Sequence, residues 1–265
     1  MDTQVLMAFP VLKFKIGNDT GLPQTGVLLD VPTVKLDSTV SPTFEIGYRC
    51  ADSAGLVALG YEFLLSEGTG QQIVHSQTYQ VRTQVNLHTW QLDYGAGPYE
   101  FAPRWDLQYR VGVKAATLSF ESQAASVLET QMARNSFWGV GPHARLDVLR
   151  RIRPLPGLAL FGRVDGAVLI GEISQHYQLS LPPGGTVLVD ASGVRRSQAV
   201  TTLQLQAGVS YSPAGLPGLT LSTGYEFQSY FNPGRLAVDP STSMISRSRG
   251  DLYFHGIFLR GRYDF

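Results

Sequence analysis

The sequence predicts an all-β fold: a single antiparallel transmembrane β-barrel of about ten strands, occupying residues 1–265 as one domain. Three observations predict it. Apolar and polar residues alternate with period two along nearly the whole chain, and helical spacing is almost absent. The alternating runs reach about 10–18 residues, beyond the usual 5 or 6 of a globular strand and enough for the roughly 9–11 tilted residues that cross a bilayer. The links between them run long, short, long, short to the end, the layout of a barrel with tight periplasmic turns and longer extracellular loops.

Each element follows from the alternation in order. Thr3 to Phe9 is the weakest candidate. Phe44, Ile46 and Tyr48 then oppose Thr43, Glu45 and Arg49, and Val57, Leu59, Tyr61, Phe63 and Leu65 oppose Ala58, Gly60, Glu62 and Ser66. Val81, Val85 and Leu87 oppose Arg82, Gln84, Asn86 and His88, with a blurred phase over Trp90 to Tyr94 that reads as a bulge. Trp105, Leu107, Tyr109, Val111 and Val113 oppose Asp106, Gln108, Arg110 and Lys114. Between Asn135 and Leu149 one face holds Trp138, Val140, Ala144, Leu146 and Val148, and the other holds His143, Arg145 and Asp147. Leu158, Leu160, Val164, Val168 and Ile170 oppose Phe161, Arg163, Asp165 and Ala167. Leu203 to Tyr211 and Leu219 to Phe231 alternate most cleanly, and Ile257, Leu259, Tyr263 and Phe265 close the chain against Arg260, Arg262 and Asp264. Eight or twelve strands result if the N-terminal segments behave differently. The short links are Cys50–Ser53, Gly97–Pro103, Arg151–Pro156 and Ser212–Pro217, rich in Pro and Gly as tight turns demand. The long ones are Pro10–Lys35, Glu67–Thr78, Glu121–Leu128, Gln175–Arg195 and Asn232–Arg249.

The same alternation fits a soluble β-sandwich, whose apolar face points to a core. Composition decides against it. Lysine is scarce, and the polar faces favour Gln, Ser, Thr, Gly and Arg. The apolar faces carry aromatics near strand ends, as lipid-interface girdles require: Tyr48, Trp105, Tyr211 and Tyr263 towards one rim, Phe63, Trp138 and Phe227 towards the other, with Phe265 ending the chain. The polar faces then line the lumen, and the candidates are Glu45, Arg49, Glu62, Arg82, Asp106, Arg110, Lys114, Arg145, Asp147, Arg163, Asp165, Glu226, Arg260, Arg262 and Asp264. Their signs nearly balance, which fits either a wet, weakly selective pore or an interior laced shut by ion pairs.

Of 265 residues only 16% are charged, with 21 basic against 21 acidic side chains. A nucleic-acid binder needs a clustered basic excess, so that class is excluded. The 43% hydrophobic content excludes a disordered chain. One cysteine, Cys50, forbids an intrachain disulfide. No uninterrupted apolar run approaches the roughly 18 residues of a transmembrane helix, and Met1-Asp2-Thr3-Gln4 lacks the basic start of a signal peptide.

Candidate chemistry is sparse. His75, His88, His143, His176 and His255 show no metal-binding spacing, so no metal or other cofactor is expected. Ser136 and His143 lie on opposite faces of one strand, which denies them the hydrogen-bond reach of a nucleophile and its base. Gly139, Gly141 and Gly162 relieve crowding at a curved wall rather than bind phosphate, since no helix follows them. Arg150-Arg151 and Arg195-Arg196 flank strand ends, where long side chains snorkel to head groups. A lipopolysaccharide contact is a second role for the latter pair.

Three stretches carry a family resemblance. Ser136-Phe137-Trp138-Gly139-Val140-Gly141-Pro142-His143-Ala144-Arg145-Leu146 resembles the "GvGPr" strand of the Legionella-type pore-forming major outer membrane proteins. Gly157 to Gly171 is similar to the strand that follows it, and Gly250 to Gly261 resembles the closing strand of relatives from other phyla. The first strand departs from the pattern by lacking an aromatic-rich start. The resemblance implies an outer-membrane protein that passes small hydrophilic solutes by passive diffusion, and it carries over no catalytic or ligand residue. Its expected partners are outer-membrane lipid and those solutes, and it is expected not to be an enzyme. The alternatives are a closed structural or adhesive barrel without conductance and, remotely, an outer-membrane hydrolase.

Overall fold

A computed structural model describes residues 2–13, 34–49, 55–74, 77–153, 155–181, 185–231, 233, 235–239, 244–248 and 251–264. Cys50, His75 and Phe265 lie outside the described residues. The strands are β1 (Asp2–Lys13), β2 (Thr39–Arg49), β3 (Gly55–Val74), β4 (Gln77–Ala102), β5 (Trp105–Ala125), β6 (Thr130–Arg151), β7 (Leu158–Leu181), β8 (Thr186–Tyr211), β9 (Leu219–Phe231), β10 (Arg235–Asp239), β11 (Met244–Ser248) and β12 (Asp251–Tyr263). Among the described residues neighbours pair antiparallel, and β1 pairs with both β2 and β12, so ten strands close into a barrel while β10 and β11 form a separate two-stranded sheet. Closure leaves no unpaired edge, the only way strands can lie in hydrocarbon.

Inside and outside follow from the alternation, but the faces exchange character part-way up the wall. On the lower half of β5, outward Tyr109, Val111 and Val113 are exposed apolar residues, and inward Arg110 and Lys114 are buried. Higher up, the inward positions become Ala116, Leu118 and Phe120, and the outward ones become Thr117, Ser119 and Glu121. β4 does the same: Trp90, Leu92 and Tyr94 face out below, whereas Val81, Val85 and Leu87 face in above. The blurred phase on β4 is therefore an inversion and not a bulge. The register there is continuous, and the shifts fall later, between Ala96 and Tyr99 and between Glu100 and Ala102. A strand that leaves lipid for water must turn its polar side outward, and its apolar side then finds shelter only in the lumen.

This inversion also corrects three of the long links. Glu67–Thr78, Glu121–Leu128 and Gln175–Arg195 are extensions of β3–β8, paired across tight hairpins, so strands reach 26 residues in β4 and β8. The apolar insides of these extensions converge on one cluster that includes Leu64, Val85, Leu87, Phe120, Phe137, Leu169, Tyr177, Leu179, Tyr230 and Phe254. A strap from the first link completes it. Leu36 is buried in the cluster, Asp37 N donates to Glu67 O at 2.8 Å, and Ser66 Oγ donates to Asp37 O at 2.8 Å. Gly68 makes room for the strap, because a Cβ there would lie 2.2 Å from Lys35 O.

Below this level the outside is a continuous apolar band. Trp138 to Leu146 on β6 and Leu160 to Ile170 on β7 are exposed at alternate positions, close to the roughly 9–11 residues of a tilted crossing. An exposed belt of this extent has no place in water. Tyr48, Trp138, Tyr211 and Tyr263 stand exposed on it, with Phe63, Trp105 and Phe227 half-buried. Phe63 stacks in a row with Tyr61, His88 and Trp90, Phe227 packs on Tyr253, and Arg150 lies 5.2 Å over the Trp105 ring. No helix among the described residues is long and apolar enough to cross a membrane.

Candidate functional site

The lumen has three storeys. The upper one is the apolar cluster described above. Beneath it, at mid-barrel, every one of the ten barrel strands sends a polar side chain to the axis: Gln4, Glu45, Glu62, Asp93, Lys114, His143, Asp165, Gln206, Glu226 and Arg260, from β1 through β9 and β12. They are inward residues of membrane-level strand segments, where the outward neighbours are apolar.

Two networks fill this storey. In the first, Asp165 is the hub: it meets Lys114 Nζ at 3.4 Å, His143 Nε2 at 2.7 Å and Arg145 Nε at 3.1 Å. His143 Nδ1 lies 2.6 Å from Asp93, and Arg145 continues to Glu45 at 2.8 Å, which also holds Arg110 at 2.6 Å. In the second network Glu226 accepts from the amides of Gln4, Gln204 and Gln206 at 2.6–2.7 Å. Arg260 in turn donates to the carbonyl oxygens of Gln4 and Gln206, and its guanidinium lies 5.1 Å from the Phe258 ring and 5.8 Å from Phe161. Between the networks Glu62 accepts from Ser41 and Thr89 at 3.4 Å. A small pocket of about 30 Å³, lined by Glu45, Glu62, Arg145 and Gln206 among others, lies at this level.

The lower storey differs. Towards the short turns the lumen widens into a vestibule of about 680 Å³. Arg151 grips Asp106 with two nitrogens, Arg163 pairs with Asp147, and Arg262 meets Asp264 at 3.0 Å.

The sequence-assigned lumen residues Glu62, Asp106, Arg110, Lys114, Arg145, Asp147, Arg163, Asp165, Glu226, Arg260 and Arg262 all point inward. Arg82 is the correction. It faces outward on the upper part of β4, half-exposed, and pairs with Glu67 at 2.8 Å. It was placed on the lumen face by a phase that holds only within lipid and reverses above it. Asp93 and Gln4 escaped sequence reasoning, the first because it sits in the inversion and the second because β1 alternates weakly. His143 carried a usable signal, since it shares a face with Arg145 and Asp147. Ser136 and His143 do lie on opposite faces, and His176 approaches Asp190 at 3.6 Å across the β7–β8 extension. Gly141 is required by crowding, since a Cβ would lie 1.8 Å from Val168 O, whereas at Gly162 the nearest atom is 3.9 Å away. Among the described residues no group of three or more His, Cys, Asp or Glu could hold a metal ion.

A barrel with this lipid-facing band and inward charges is matched by one protein-family model. That model, described as Legionella pneumophila major outer membrane protein precursor, matches residues 42–265, from β2 through the last strand. The chain belongs to this family. A Legionella-type major outer membrane protein resides in the outer membrane, and so does this chain. One solved structure shares the fold. The outer membrane protease OmpT from Escherichia coli aligns over 100% of this chain and 92% of its own, with a TM-score of 0.52 at 11% identity. A Pseudomonas aeruginosa FadL homologue aligns over 100% and 89%, with a TM-score of 0.34 at 9% identity. No curated protein matches the sequence.

Proposed function

We propose that this family member is a closed outer-membrane barrel with no continuous conduit, its apolar belt seated in lipid, and that it is not an enzyme. The observation that carries this reading is the mid-lumen: a network fed by all ten strands surrounds a pocket of about 30 Å³, and an apolar cluster joined by the Leu36 strap lies above it. A hydrated ion needs a wider path than a pocket of that size offers. Passive passage of solutes, which the family resemblance implied, is supported by one feature only, the vestibule that enters the barrel from the periplasmic side. The non-enzymatic reading rests on His143, the imidazole with two carboxylate partners, being sealed from solvent on every side.

Planar-bilayer recording of the refolded protein tests this directly. The expected result is stable insertion with current at the bilayer baseline. Discrete openings in the unmodified protein would overturn the closed reading and restore the diffusion pore.

A further inference from the structure

We infer that the vestibule is a binding site for a small amphipathic anion, a phosphate monoester on a short apolar body, presented from the periplasm. Its volume of about 680 Å³ falls within the range of small-molecule sites, and its lining divides by chemistry. Six arginines line it against three aspartates, with no lysine or glutamate. Arginine forks match planar or tetrahedral oxyanions through paired N–H groups. Pro98, Leu149, Ile152 and Pro156 add apolar surface to the same lining.

The inner end is arranged for the head group. Arg110, Arg163 and Arg260 reach the vestibule from three different strands, β5, β7 and β12. Arg110 is buried, and its Nε has no hydrogen-bond partner among the described residues. Asp147 Oδ2 is likewise an unpartnered acceptor beside them. An arginine-rich floor suits a phosphomonoester, whose oxygens accept from the guanidinium N–H groups. The cation–π seat of Arg260 on Phe161 and Phe258 holds one guanidinium rigid where the head group meets the apolar wall.

Calorimetric titration of the whole protein in phosphatidylcholine nanodiscs, with empty discs as blank, tests the site using hexyl phosphate, inorganic phosphate and hexanol. Hexyl phosphate is expected to saturate at one per barrel and bind at least ten-fold more tightly than either fragment. Arg163→Gln and Arg262→Gln should each weaken it at least five-fold. Arg262 lies at the mouth outside the buried networks, so its variant decides the matter if Arg163→Gln fails to fold. Absence of saturable binding, equal affinity in a folded variant, or hexanol binding as tightly as hexyl phosphate would each overturn the inference. The outcome is separate from that of bilayer recording, since a conducting barrel that binds hexyl phosphate would retain this site.

Discussion

His143 on β6 and Asp165 on β7 meet at 2.7 Å inside the barrel, both sealed from solvent, and Asp165 there answers Lys114, Arg145 and the imidazole at once. One carboxylate thus holds together the basic side chains of β5 and β6, and the barrel is cross-braced through its centre as well as around its wall.

Replacing that hub has a defined consequence. Asp165→Asn keeps the volume but leaves Lys114, Arg145 and the ring facing one another with one carboxylate fewer. Breaking a buried ion-pair network in this way costs about 3–5 kcal/mol. Urea unfolding in lipid, followed by tryptophan fluorescence, should show a loss of unfolding free energy of that size.

On the proposed closed reading, the two upper storeys act in series. Arg110→Ala or Arg163→Ala loosens only the lower layers and leaves the apolar cluster above intact, so neither variant should raise bilayer current above baseline. Conductance that changed with either substitution would mean that the cluster is open to ions.

The strap is held by the absence of a side chain at residue 68. Gly68→Val puts a branched Cβ where Lys35 O now lies, 2.2 Å away, and breaks the Asp37–Glu67 backbone bond. Hydrogen exchange at the Asp37 amide should accelerate at least ten-fold, with strand amides of β6 unaffected.

The belt and the wall above it answer differently to charge. Val140→Arg places a cation on the lipid face and should destabilise the barrel by about 2–4 kcal/mol. Ser119→Arg, on the outward face above the inversion, should change stability by less than about 0.5 kcal/mol. Chemical denaturation of the two variants in parallel measures where lipid ends.

Above the membrane Tyr79 donates to Glu129 at 2.6 Å, and burial together with that carboxylate pushes its hydroxyl up to about 12 from the ordinary tyrosine value of 10. A group raised on folding contributes stability that is complete below its unfolded value and fades as pH climbs through its folded one. The hairpin tips of β4–β6 should therefore hold up to pH 10 and loosen towards 12. Ultraviolet titration of tyrosinate in the wild type and Tyr79→Phe checks it.

Much of this was written in the alternation. Within lipid the period-two pattern assigns faces correctly, because hydrocarbon outside and a polar lumen inside give each side chain one solution; Tyr109 against Arg110 is an example. It failed at Arg82 and at the extended hairpins because the outer solvent changes from lipid to water there, and period two carries no mark of which solvent is meant. The strap at Leu36 was illegible for another reason. A short irregular segment finds its place by tertiary packing against Gly68 and leaves no periodic trace. The pairings of Asp93 and Gln4 depend on barrel closure, which brings together residues that the chain holds far apart.

The exchange of faces has a consequence for the journey to the outer membrane. With mean hydropathy at −0.01, the apolar stripe of long strands such as β4 and β5 switches sides before it grows long, so these parts of the unfolded passenger offer export and chaperone machinery only brief greasy segments. Its affinity for lipid emerges when neighbouring strands align and short stripes merge into a ring. Commitment to the bilayer is in that sense a collective property of the wall, withheld until the last strand meets the first.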